Sequence, residues 1–267
     1  MKSLIASAIL LASGSVAAHD TSFSSDSCDV DLNAGVTINK QEVAFTKNDK
    51  ELYKIVGNTH LVVNDETISL SGSQQELVAK FSHDVRAVVP EVKGIALEAL
   101  DLASEGVTLA FNELLGEGND VGAELSEHLA AIKFDIDREL DLEKEISIDE
   151  HGNFGDGTFG EEFEQRIEEA VESTIKNSMG TLLIAVGQEM LFSGGDPDAF
   201  EARMETFGEQ IEQQMEERAS VIEEKAEALC HSVLAIDALE EQMKLEIDAL
   251  AGFDVVTANK SHDKHSI

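Results

Sequence analysis

The densest group of hard oxygen donors lies mid-chain, where Asp149, Glu150, Asn153, Asp156 and Glu161 fall within thirteen residues. Ca²⁺ takes about six to eight oxygen ligands, so divalent-cation binding is the chemistry this stretch could do. It is not an EF-hand, because Phe154 occupies the sixth position, where a sharp turn needs Gly, and Gly160 the twelfth, where a bidentate Glu belongs. Asp149, Asn153, Asp156 and Glu161 are the candidate metal ligands, and no cofactor other than Ca²⁺ is expected.

Other chemistry fails on context. Gly155 to Gly160 spells the G-x-G-x-x-G string of dinucleotide sites. No strand-helix-strand unit surrounds it, however, and Glu161, Glu162 and Glu164 stand where a pyrophosphate would sit. Ser173 with Lys176, and Ser261 with Lys264, fit the Ser-x-x-Lys pattern of serine nucleophiles but lack its companion elements. The eight histidines form no H-E-x-x-H pair. In a chain with 54 acidic residues, carboxylate pairs occur at any spacing and identify nothing. No catalytic and no cofactor-binding residue is assigned, and the reading leans away from an enzyme.

Composition bounds the partners. With 19 basic residues against 54 acidic ones the net charge is −35. Such a surface repels nucleic acid, whose affinity for proteins comes mainly from Lys and Arg. Lys2, the apolar run Leu4 to Ala12 and the small residues Val16-Ala17-Ala18 read as a cleaved secretory leader over residues 1–18, with the mature chain starting at His19 and no membrane anchor. An exported chain with only two cysteines, Cys28 and Cys230, is expected to join them in a disulfide.

The elements read as α+β: long amphipathic helices behind a small N-terminal antiparallel meander, in a single domain over 19–256. Over residues 28–70, short two-fold runs at Val36–Ile38, Glu42–Phe45, Leu52–Val56, His60–Val63 and Thr67–Leu70 are separated by Lys47-Asn48-Asp49-Lys50, Gly57-Asn58 and Asn64-Asp65. The period becomes helical after Ser73, which stands in capping-box register with Glu76. Pro90 is expected to end or bend the first helix, with further segments at Glu91–Leu115 and about Val121–Glu145. Residues 146–160 read as a loop or hairpin within the helical part, 73–251.

From Pro197 to Ala251 one helix could run about 80 Å. Ile222, Leu229, Ile236, Met243 and Leu250 recur every seventh residue, with Ala226, Val233 and Ile247 in the alternate seam, a coiled-coil-like pattern. Upstream, Ile211, Met215 and Ala219 follow at steps of four, a stutter at which the helix could unwind or bend. Fifteen acids against four bases in this segment argue against a self-associating parallel coil and for packing on the chain's own earlier helices. Residues 257–267 are expected to be a disordered tail.

The leader, Cys28-Asp29-Val30, the meander ending Asn64 to Leu70, the helix from Gln74 to Pro90, the stop Ser193-Gly194-Gly195-Asp196-Pro197 and the late Cys230 together resemble the YggN-like family of uncharacterised proteins from Gram-negative bacteria. The resemblance covers roughly Cys28 to Leu250 and implies a periplasmic location and one domain. It brings no catalytic residues. The functional expectation is a non-enzymatic interaction, scaffold or chaperone-like protein of the cell envelope, with a protein partner. The alternatives are a divalent-cation-responsive binding protein and a periplasmic hydrolase whose site the sequence does not reveal.

Overall fold

A computed structural model describes residues 21–24, 28–116, 119–151 and 197–260, with scattered helical positions between 168 and 187. The expected leader (1–18) and residues 261–267 lie outside these. In chain order the strands are β1 (Thr21–Ser24), β2 (Cys28–Leu32), β3 (Gly35–Ile38), β4 (Glu42–Lys47), β5 (Lys50–Val56), β6 (His60–Val63), β7 (Glu66–Thr67), β8 (Ile146–Ile148) and β9 (Val256–Lys260). Three long helices are described, α1 (Gly72–Leu115), α2 (Asp120–Glu139) and α3 (Pro197–Glu246), so the fold is α+β.

The meander forms because its turns can bend only one way. Asn48-Asp49 and Asn64-Asp65 all have positive φ, as a two-residue hairpin turn of type I′ demands, and Asn and Asp tolerate that region. Gly57-Asn58 turns β5 into β6 with the same sign. The resulting sheet is antiparallel in the order β7-β6-β5-β4-β3-β8. Its sixth strand corrects the loop-or-hairpin reading over 146–148, while 152–160 lie outside the described residues. Ile146 and Ile148 alternate onto the core side and pair with Ile38 and Val36, while Asp149 to His151 turn away. Gly35 is required beside this strand, since a Cβ there would lie 2.8 Å from Thr46 Oγ1 and 3.0 Å from the Ile148 carbonyl oxygen.

Cys28 to Leu32 is not part of the meander. β2 forms a separate three-stranded sheet with β1 and β9, in the order β1-β2-β9, with Cys28 opposite Lys260 and Leu32 opposite Val256. The expected disordered tail is therefore corrected over 257–260. Val256 and Ala258 are buried on alternate positions, and β2 supplies the backbone partners that order them.

α1 is capped two residues earlier than the sequence suggested, at Ser71 and not at Ser73. Ser71 is the N-cap: Gln74 N donates to its hydroxyl, and its own N–H donates to Gln74 Oε1. Pro90 neither ends nor divides the helix, which continues for 44 residues. Proline removes one backbone hydrogen bond, but packing holds both flanks. Val85 and Val89 enter the core before it, and Lys93 pairs with Asp137 of α2 at 2.9 Å after it. α2 stops at Glu139, short of the expected Glu145, and α3 passes through the stutter unbroken before a 3₁₀ turn at Asp248–Leu250.

The core lies between the six-stranded sheet and the roots of α1 and α3. Val43, Phe45, Tyr53, Ile55, Leu61 and Val63 face Leu77, Val78, Phe81 and Val85 of α1 and Ile236, Leu239 and Met243 of α3. Phe45 is the aromatic centre, with ring centroids 4.8 Å from Tyr53 and 5.9 Å from Phe81. The disulfide between Cys28 and Cys230, with Cα atoms 6.1 Å apart, ties β2 to the root of α3.

Candidate functional site

Among the candidate metal ligands only Asp149 lies within the described residues; Asn153, Asp156 and Glu161 lie outside them. Asp149 Oδ1 accepts the His151 backbone N–H at 2.8 Å, bracing its own turn, and Glu150 accepts the Asn48 N–H at 3.0 Å, bracing the distant β4–β5 hairpin turn. Among the described residues no three His, Cys, Asp or Glu side chains stand close enough to hold a metal ion. Lys176 pairs with Glu172 at 2.6 Å, one helical turn earlier, while Ser173 lies outside the described residues.

The structure instead draws attention to the joint between sheet and helices. A cavity of about 180 Å³ opens there, walled by Val36, Ile38, Phe45, Ile146 and Ile148 of the six-stranded sheet, Phe81, Val85, Val88, Val89 and Val92 of α1, and Val233 and Ile236 of α3. Leu32, Ala34, Leu140, Val255 and Val256 close the remaining sides. Every lining residue is apolar. Val92, 37% exposed, is the least covered wall, and Leu32, Val88, Leu140, Ile148 and Val233 are half-buried.

Three buried polar side chains surround this joint. Glu240 of α3 is 2% exposed, and its carboxylate accepts the backbone N–H groups of Val255 at 2.8 Å and Val256 at 3.0 Å. Those bonds fix the approach to β9 and hold two cavity walls in place. Burial pushes the Glu240 carboxyl up to about 7, against the opposing effect of the two N–H donors, with Asp254 adding to the rise and Lys244 opposing it. Tyr53 is raised well above its ordinary value by burial first and by Glu240 and Asp254 second.

Arg86 of α1 clamps two turn tips. Its Nε donates to the Asn39 carbonyl at 2.7 Å, and its Nη1 to Asn58 Oδ1 at 3.0 Å and to the Ser82 carbonyl and hydroxyl. Burial lowers its pKa. Tyr53 Oη and Arg86 Nη2 are buried with no hydrogen-bond partner among the described residues. Sequence reasoning missed all three groups, yet for Glu240 a signal exists. The seam Ala226, Val233, Ile247 steps by seven through position 240, where a carboxylate replaces the apolar residue.

Beyond the joint the helices form an arm. Gln74 Nε2 donates to the Glu246 carbonyl at 2.6 Å, and Glu98 pairs with Lys225 and Glu105 with Arg218, so α1 and α3 run antiparallel. α2 returns along α1, with Lys133 on Asp101 at 2.6 Å and Ser126 beside Thr108 at 3.3 Å. Gly122 allows this approach, because a Cβ there would already stand 3.3 Å from that of Phe111. The apolar stripe of α3 is half-buried at Ile211, Met215, Ala219, Ile222, Ala226 and Leu229. The helix thus packs on the chain's own α1, as its charge requires. No helix among the described residues is long and apolar enough to cross a membrane.

No curated protein and no solved structure matches this chain. A family model described as "Protein of unknown function (DUF2884)" matches residues 28–256, from the first residue of β2 to the first of β9. That span takes in both cysteines, the cavity walls, Glu240 and the arm, and the chain belongs to the DUF2884 family of proteins of unknown function.

Proposed function

We propose that this chain is an exported, periplasmic, YggN-like protein with a non-enzymatic role, a scaffold or chaperone-like component of the cell envelope whose working surface is the helical arm. One observation carries the reading. On α1 beyond Val89, and on α3 before Cys230, no described residue is buried, although the helices continue over 90–115 and 197–229. Helices in proteins draw most of their stability from packing an apolar face, so long stretches outside the core are best explained by what they present outward. The outer face is acidic, and Val221, 45% exposed, interrupts it. A basic or cation-bridged protein surface is the complementary partner.

The test is site-specific photocrosslinking in living cells. A photoreactive residue at Val221 on the arm is expected to give one discrete adduct, and the same residue at exposed Glu66 on the edge strand β7 none. Equal adducts at both sites, or none from the arm, would remove the arm as the docking element. Running each sample with a chelator also tests the divalent-cation alternative. If the stretch from Asp149 to Glu161 holds Ca²⁺, millimolar Ca²⁺ raises the melting temperature by linkage, and an unchanged melting temperature disposes of it.

A further inference from the structure

We infer that the cavity at the root of the arm is a binding site for one acyl chain carried on an uncharged or zwitterionic head. The walls decide the tail. A cavity of about 180 Å³ without a polar group in its lining offers an occupant no hydrogen bond, so only hydrocarbon enters without desolvation loss. An apolar cavity of only ~150 Å³ already accepts a benzene-sized guest. The occupant therefore has an apolar end inside and its polar part outside, on the side of exposed Val92.

The rim decides the head. Lys40, Lys93, Arg138 and Lys144 each stand within two residues of a wall residue and are four of the chain's 19 bases. Each is already paired: Lys40 with Glu143, Lys93 with Asp137 at 2.9 Å, Arg138 with Asp135 at 3.3 Å, and Lys144 with Glu139 at 3.3 Å. With these four bases already held by carboxylates, a protein of net charge −35 offers no net pull on an anion. The head is therefore not anionic, and one that carries both signs or neither escapes the repulsion.

The experiment uses the full chain and lauroyl lysophosphatidylcholine below its micellar concentration, with dodecanoate and dodecyltrimethylammonium as head-charge controls. The expected result is a saturable rise in melting temperature with the zwitterion. Val89→Phe and, on the opposite wall, Val233→Phe each fill the cavity and are expected to weaken binding about tenfold, the loss of a contact worth one decade of affinity. Circular dichroism identifies which variant is folded, and either one suffices.

The source of the chain is separated by a second arm, in which zwitterionic diacyl vesicles replace the lysolipid. Protein recovered with bound diacyl lipid points to chains drawn from a bilayer, and binding of the lysolipid alone to a free single-chain amphiphile. No saturable rise with either source, undiminished binding by a folded filled variant, or preference for dodecanoate or for dodecyltrimethylammonium overturns the inference. The first of these is also what an occupant from the chain's own remaining residues would produce. The outcome is independent of crosslinking at Val221, so either reading can fail alone.

Discussion

Replacing Cys28 and Cys230 together by alanine will lower the free energy of unfolding by up to about 5 kcal/mol, the chain-entropy figure for a loop of this length. The two residues are separated by 202 positions, and the bond closes most of the described chain into one ring. Both cysteines are buried, at 5% and 4% exposure, and each belongs to the core cluster. The bond's place in the fold adds to the entropic argument. β2 touches the rest of the core through few elements, and the disulfide holds it, and with it β1 and β9, to the root of α3. The measurement is equilibrium unfolding in guanidinium, comparing the midpoint and slope of the double variant with those of the parent. A steeper slope is also expected, because the uncrosslinked chain exposes more surface when unfolded. Thiol labelling of the denatured, unreduced parent should find no free cysteine. Two labelled thiols, or an unchanged midpoint in the variant, would contradict the assignment.

Mild acid will stabilise this protein, and most of that gain should vanish in Glu240→Gln. The folded carboxyl titrates at about 7 and the unfolded one at its ordinary 4.5, so between those values the folded state binds the extra proton. Stability therefore falls as pH rises through this window and is highest below it, the reverse of a salt-bridged carboxylate. A shift of this size corresponds to about 3 kcal/mol between pH 4.5 and pH 8. The charged groups facing Glu240 are Asp254 and Lys244, with Tyr53 across the core, and Lys244 is itself held by Glu241 at 2.5 Å and Asp254 at 3.0 Å. Asp237, raised by the same desolvation, contributes in the same direction and remains in the variant. Thermal melts of parent and Glu240→Gln at half-unit pH steps would decide it. Parallel curves across the window would show that Glu240 is not the titrating group. At high pH, Glu240→Ala is expected to cost about 2–5 kcal/mol, since it leaves the Val255 and Val256 N–H groups buried without an acceptor.

What the sequence disclosed, and what it withheld, follows from the distance over which each feature is determined. Asn48-Asp49 and Asn64-Asp65 announce their hairpins because positive φ is a property of the residues themselves. The stripe from Ile211 to Ile236 likewise appears at the expected positions, since helical periodicity is local. Pro90 misled because a tertiary effect, anchoring on both sides by Val89 and Lys93, outweighs one missing hydrogen bond. β8 and β9 are short, and their partners β3 and β2 lie far away in the chain, so nothing within Ile146–Ile148 or Val256–Lys260 alone reveals a strand. The oxygen-rich stretch stood out by composition, yet the described carboxylates Asp149 and Glu150 serve turns. The cavity could not be read at all, because its walls come from seven separate stretches whose apolar residues look like any core. Glu240 was the exception, visible as a carboxylate in a seam position but passed over among so many acids.

The pairing of β2 with β9 also sets an order of events. Cys28 opposite Lys260 and Leu32 opposite Val256 mean that nearly the first and nearly the last described residues share one sheet. The hairpins from β3 to β7 and the start of α1 can form from neighbouring sequence, whereas β2 must wait for β9, more than 220 residues later, the kind of distant contact that slows folding. An interrupted chain would carry an unpaired strand edge, which invites association with other edges. Closure of the small sheet thus marks a late stage: only a chain made as far as β9 can cover β2, seat Val255 and Val256 against Glu240 and finish the walls of the cavity.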